Sequence, residues 1–224
     1  MGFGWFKRSE AAGHASVPRE PRASGPHSAA REGADRLRAE AQERDEDRRL
    51  ALEILRGFQP GLDLKALAES LLNACREPFE LATFYLALVD HEADRLTFPL
   101  YLEGGKRRVV APRSFSQFSG LTTRIIQERR AFYFPTKALQ EEAGVAYTDA
   151  ERMTGLIPES WFGVPLGVGP GWPDPPFGVL AFQAFAQDAF SPARREIMTA
   201  FGAALALAAR TDPARKLNLG DGLP

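Results

Sequence analysis

One stretch constrains the fold of this chain more than any other: Ser160–Ala186, SWFGVPLGVGPGWPDPPFGVLAFQAFA. Two apolar runs, Trp161–Val168 and Phe177–Phe185, flank a segment dense in Gly and Pro. Runs this short, bounded by turn residues, are strands rather than helices. Phe, Val and Leu suit a pleated surface, and the Gly/Pro segment continues neither strand. The expectation is an antiparallel hairpin with an irregular loop. The second run alternates, with Val179, Ala181, Gln183 and Phe185 on one face and Leu180, Phe182 and Ala184 on the other. Ser191-Pro192 then opens a helix as cap and first residue.

Upstream, Ala34–Arg56 lacks Gly and Pro and is rich in helix formers, predicting a helix over 31–58. Its first half is almost wholly charged; Leu50, Leu52, Ile54, Leu55 and Phe58 make the second half amphipathic. Residues 37, 41, 44, 48, 51, 55 and 58 fall on heptad spacing, although Arg44 and Arg48 occupy two of those positions. Asp63 caps a further helix with a core stripe of Leu64, Leu67, Ala68, Leu71 and Cys75. Leu81–Val89, Arg95–Leu102 and Arg107–Ala111 form an expected meander, with Leu96, Phe98, Leu100 and Leu102 on one face. Ser119 is the expected cap of a helix over Gly120–Arg129, followed by a short strand at Ala131–Phe134 and a brief helix capped by Thr136. On the last helix Ile197, Phe201, Ala204, Leu205 and Ala208 form one stripe, leaving Met198 and Leu207 for a second surface.

Composition excludes several functions. Lys and Arg number 28 against 29 Asp and Glu, and the signs are interleaved, so no nucleic-acid partner is expected. The single cysteine permits neither an internal disulfide nor a multi-cysteine metal site, and the expected location is cytoplasmic. No apolar run approaches the roughly 18 residues of a spanning helix. The three histidines, His14, His27 and His91, show no ligand or triad spacing. Gly167-Val168-Gly169-Pro170-Gly171 leads into prolines rather than a helix, which fails the dinucleotide pattern.

WFGVPL, a turn, FGVLAFQAF and then AFSPARREIMTAFGAALALA closely resemble the carboxy-terminal half of a GAF domain, and the similarity extends upstream to about residue 50. The resemblance implies an α+β fold: a central antiparallel sheet of about six strands, terminal helices on one face, and pocket-forming helices and loops on the other. The expected organisation is a disordered tail over 1–30, a lead-in and dimerisation helix over 31–58, the GAF domain over 59–210 and a disordered tail over 211–224.

By family position the pocket would be lined by Phe115, Phe118, Ser119, Gly120, Leu121, Thr122, Phe132, Phe134, Tyr147 and Trp161. Aromatics with a few hydroxyls are what binding cavities use, though the same rings also fill cores. Free N–H groups at Gly120–Thr122 suit a carboxylate or phosphate. No cofactor is expected. The cyclic-nucleotide motif of the family needs asparagine, and the only ones are Asn73 and Asn218, outside the pocket half. Bilin attachment needs a pocket cysteine, and haem an axial ligand that residues 92–224 lack as histidine. The enzymes of the family, free methionine sulfoxide reductases, rely on several cysteines; with Cys75 alone, no enzyme is expected. The resulting expectation is a non-enzymatic small-molecule sensor. It would pair as a homodimer through Leu50–Phe58 and Ile197–Ala209 and signal in trans to an effector protein. The alternative is a ligand-free interaction scaffold whose pocket is filled by its own side chains. Phe3, Trp5 and Phe6 beside Lys7 and Arg8 could contact a membrane or a partner, but a plain floppy terminus is the preferred reading.

Overall fold

The computed structural model describes residues 26–57, 63–145, 147, 149–155, 157–172 and 175–211. The aromatic tip at Phe3–Phe6, Phe58 and the tail after Thr211 lie outside the described residues. The chain divides into two units, Met1–Ala41 and Gln42–Pro224. The described part of the first is helical, with the side chains of residues 29–41 all exposed. It is the beginning of α1 (Pro26–Gly57), which starts five residues earlier than the sequence pattern predicts and takes residues 26–30 out of the expected disordered tail. Proline is pre-organised for a first helical turn, and Ala29-Ala30 propagates it.

The second unit is built on one antiparallel sheet. Its elements are α2 (Leu64–Cys75), β1 (Leu81–Asp90), β2 (Arg95–Glu103), β3 (Lys106–Arg107), β4 (Arg113–Ser114), α3 (Leu121–Glu128), β5 (Phe132–Phe134), α4 (Lys137–Glu142), α5 (Asp149–Thr154), β6 (Ser160–Leu166), β7 (Gly178–Ala184) and α6 (Pro192–Thr211). The strand order is β3-β2-β1-β7-β6-β5, with β4 also on β2. The hairpin read from Ser160–Ala186 is β6–β7, pairing Trp161 with Gln183 and Leu166 with Gly178. It joins β1 through β7, where Phe84 faces Phe182.

Period-two alternation sorts the sheet into two faces. Phe84, Leu86, Phe162, Val164, Leu166, Leu180, Phe182 and Ala184 point to a core shared with α2, α6 and Leu50 and Ile54 of α1. Tyr85, Ala87, Val89, Trp161, Val179 and Ala181 point the other way, beneath α3. Asp63 caps α2, its carboxylate accepting from the Ala66 amide at 2.7 Å, and the stripe from Leu64 to Cys75 is buried as the spacing predicts. On α6 the core stripe is offset by one residue. Met198, Phe201, Leu205 and Ala209 are buried, whereas Ile197, Ala204 and Ala208 sit at the margin. Gly202 lets α6 approach β6, since a Cβ there would meet Val164 Cγ2 at 2.7 Å. The two surfaces expected to pair protomers are therefore partly spent within the chain: Leu50, Ile54 and Met198 are buried, and Leu52 and Leu207 remain exposed.

Two further expectations are corrected. β2 does not keep one phase. Leu86 pairs with Leu100 but Leu88 with Thr97, so β2 carries an extra residue there, and Pro99 lies in this bulge. A bulge tolerates the N–H that proline lacks. It also flips the alternation: Leu96 and Phe98 face α3, Leu100 and Leu102 face the opposite core, and Tyr101 returns to the α3 side. Nor is Arg107–Ala111 a strand. Only Lys106–Arg107 pair with Leu102 and Glu103, and the Arg108 amide still donates to Tyr101 O at 2.9 Å; beyond it the chain lifts off and returns as β4, opposite Arg95 and Leu96. Pro112 offers no ladder donor, and Val109 is wholly exposed at the crest of this arch.

Candidate functional site

The α3 face of the sheet is not filled. Its central positions are small, with Ala181 on β7 and Gly163 on β6. A Cβ at Gly163 would meet Trp161 and Ile125 Cδ1 at 2.3 and 2.6 Å, so glycine there is what lets α3 settle against the sheet. Beside α3 a cavity of about 620 Å³ remains. That volume lies in the range of ordinary small-molecule sites.

The floor is one transverse row of the sheet, in which Glu103 pairs with Thr83, Thr83 with Gln183 and Gln183 with Trp161. In the next row the Tyr85 and Tyr101 rings stack at 5.3 Å with 5° between their planes. Phe98 meets each of them edge-on at 5.8 Å. The Tyr85 hydroxyl and Thr122 Oγ1 lie 2.9 Å apart and share a hydrogen bond between sheet and α3. Burial pushes the Tyr85 hydroxyl up to about 12, opposed by its hydrogen bonds to Thr122 and Trp161. Tyr101 is raised likewise, by burial first and then by the neighbouring Tyr85, Glu151 and Glu103.

The walls are charged and aromatic. Gly120, Leu121 and Thr122 bring the start of α3 to the cavity, beside Phe118, whose ring lies under the Arg113 guanidinium at 5.3 Å. The arch contributes Arg108, Val109, Val110 and Ala111; Arg108 Nε is 3.1 Å from the Glu103 carboxylate. Gln140, Tyr147, Glu151 and Arg152 come from α4, α5 and the segment between them. Gln140 is fixed by donating to the carbonyls of Pro158 and Glu159, at 3.2 and 2.7 Å. Tyr147 donates to Glu141 at 3.3 Å, and burial and the nearby carboxylates raise its hydroxyl.

Of the ten residues expected to line a pocket, the cavity brings together Phe118, Gly120, Leu121, Thr122, Tyr147 and Trp161. The other four are elsewhere. Phe115 lies edge-on to His91, and Ser119 is exposed. Phe132 is buried under α3, flanked by Arg124 and Arg130 at 4.7 and 4.0 Å, and stacks on Phe134. Phe134 leans on the far side of Trp161. Ser119 does not cap α3: Gly120 occupies that position and offers no side chain to the helix. Tyr85, Phe98, Tyr101, Glu103, Arg108, Arg113, Gln140, Glu151 and Gln183 were missed. The one available signal for the β2 members was Pro99, a mid-strand proline that marks a bulge.

Among the described residues no group of His, Cys, Asp and Glu could hold a metal, and no helix is long and apolar enough to cross a membrane. Cys75 lies fully buried in the opposite core, and burial holds its thiol well above the usual range.

No protein-family model matches the sequence, and no curated protein matches it. Solved structures do. The GAF domain of a phosphoenolpyruvate-protein phosphotransferase from Coxiella burnetii aligns over 78% of this chain and 98% of its own, at TM-score 0.60 and 13% identity. The corresponding Acinetobacter domain aligns over 80% and 98%, at TM-score 0.53 and 18% identity. Free methionine-R-sulfoxide reductase from Neisseria meningitidis, solved with its substrate, aligns over 80% and 92%, at TM-score 0.54 and 15% identity. This last likeness corrects the expectation that the chain is not an enzyme. The fold it adopts is also that of named enzymes, so a lone core cysteine does not exclude catalysis. With a sheet sandwiched between terminal helices and a cavity-bearing α3 face, and with these structures matching most of its length, the chain has the GAF fold.

Proposed function

We propose that this protein binds a small organic molecule in the cavity beside α3 and works as a sensor or regulatory module. The observation that carries this reading is the open volume of about 620 Å³ over a floor of Gln183, Trp161 and the Tyr85–Tyr101 stack. A scaffold with a self-filled pocket would place its aromatics inside; here Phe132 and Phe134 pack outside it.

Output would leave through the opposite face of the same sheet. There Arg194 of α6 holds Asp47 of α1 at 3.2 Å and Glu43 at 3.5 Å. A ligand that binds one arrangement of these helices better than another shifts their populations. The proposed assembly is a homodimer acting on an effector protein, using the exposed Leu52 and Leu207 rather than the buried parts of the helices.

The test is thermal unfolding of the full chain with and without a protein-free small-molecule extract of its host. A ligand present at ten times its Kd contributes about 1.4 kcal/mol, which raises Tm by roughly 3–6 °C in a chain of this size. An unchanged Tm across fractions of the extract would count against the reading.

A further inference from the structure

The cavity's polar groups select a ligand chemistry. Resting on the binding function proposed above, we infer that the ligand is a small planar or aromatic acid. Its carboxylate or phosphate would sit at the start of α3, and its body would hydrogen-bond to the Gln183 amide.

Two independent observations point there. The first is the start of α3. The Arg124 amide closes the first helical bond, to Gly120 O at 3.0 Å, so the amides just ahead of it have no helical acceptor. Gly120 supplies no side-chain oxygen in their place, and the Thr123 hydroxyl is turned back to donate to Phe118 O at 2.7 Å. Donors left open at a helix start favour an anion. Arg113, held over Phe118, adds a cation at the same wall.

The second is Gln183. It lies in a central strand between Thr83 and Trp161, is only 8% exposed, and faces the cavity. Among the described residues its amide has no hydrogen-bond partner. The amide is not sealed in the core, where the buried side-chain atoms without a partner are Asp47 Oδ2 and Arg195 Nε among the described residues; it opens onto the cavity, at a central-strand position where a purely structural core would place an apolar residue. A ligand in the cavity can complete its hydrogen bonds.

The carboxylates in the lining do not cancel the anion site. Glu103 is held by Arg108, Glu151 has a partner of its own, and neither belongs to α3. The rings define the body of the ligand: Tyr85, Tyr101, Phe98 and Trp161 offer flat apolar surfaces rather than a narrow aliphatic channel.

The test is calorimetric titration of the full chain with phenylacetate, phenyl phosphate and phenylacetamide, which share one ring and differ in charge. The expected result is that an anionic probe binds at least about tenfold more tightly than the amide. Tighter phenylacetate identifies an organic acid, and tighter phenyl phosphate a phosphate ester. Arg113→Gln should weaken the anions and leave the amide unchanged. Gln183→Leu should weaken all probes while Tm holds or rises, a combination that simple damage to the fold would not give. Equal binding of the amide and the anions overturns the acid assignment and leaves the cavity reading standing. Failure of all three overturns both, and undiminished binding by Gln183→Leu removes Gln183 from the site.

Discussion

At Tyr85 one hydroxyl joins the sheet to α3, through Thr122, from a position buried beneath the cavity. Tyr85→Phe strands the Thr122 hydroxyl and should cost about 1 kcal/mol in chemical denaturation. The same group sets an alkaline limit. Its folded value near 12 lies above the ordinary 10.0, so the folded state holds the proton more tightly. The stability this contributes is intact below the ordinary tyrosine range and is lost as pH rises through about 12. Tyr85→Phe should therefore lose less stability than the wild type between those two values, as read by unfolding midpoints across the alkaline range; an identical pH slope would refute the assignment. Part of this site was legible only through the family resemblance. Phe118, Thr122 and Trp161 were expected in the lining by family position, and the cavity brings them together. Tyr85 was not, because Leu81–Val89 is apolar on both faces and nothing in the run marks which ring meets a cavity.

Whether a strand could be read depended on whether its period was unbroken. β7 alternates without interruption, and Val179, Ala181 and Gln183 share a face as the pattern requires. β2 contains Pro99 and a bulge, so Leu96 and Leu100, two turns of the same pattern, lie in different cores. That one extra residue brings Tyr101 and Glu103 into the cavity and explains why both escaped notice. Deleting Pro99 should remove the bulge and leave a continuous ladder, Leu86 with Leu100 and Leu88 with Thr97, in which Leu100 and Leu102 keep their core and Tyr101 keeps the α3 face; a loss above about 3 kcal/mol in chemical denaturation, the size expected for two displaced leucines, would contradict this register. The α6 stripe was misread by one residue because alanines on several faces blur a 3.6 period: Met198, not Ile197, is the buried neighbour of Phe201. Gly163 sets how closely α3 can pack on the sheet. Gly163→Ala would drive a methyl into Trp161 and Ile125, and about 1–3 kcal/mol of overpacking strain should accompany displacement of α3. Trp161 fluorescence reads that displacement directly.

Across the whole molecule, the sheet separates a closed core from an open one. The closed side holds α2, α6 and the end of α1 through Leu50 and Ile54, and Asp47 joins them as a 3%-exposed carboxylate paired to Arg194. Burial raises the Asp47 carboxyl despite Arg194, and its Oδ2 has no partner among the described residues, so the clasp is costly to hold. Asp47→Ala leaves Arg194 without it at about 1–3 kcal/mol, and amide exchange over Gln42–Gly57 should accelerate more than in β1 or β7. Uniform acceleration across the chain would show that α1 is not a separate responding element. The open side is where function is proposed. The resemblance implied a pocket on this face but left open whether it was open or self-filled, and its polarity was not legible, because it is set by residues from β1, β2, β7 and the 108–112 arch that lie far apart in sequence. The most direct measurement is native mass spectrometry of the full chain purified from its host, followed by denaturation to release whatever is bound. A stoichiometric small molecule, lost from a Gln183→Leu chain that still folds, is the predicted result. A bare wild-type chain that also takes up nothing from the host extract would contradict it.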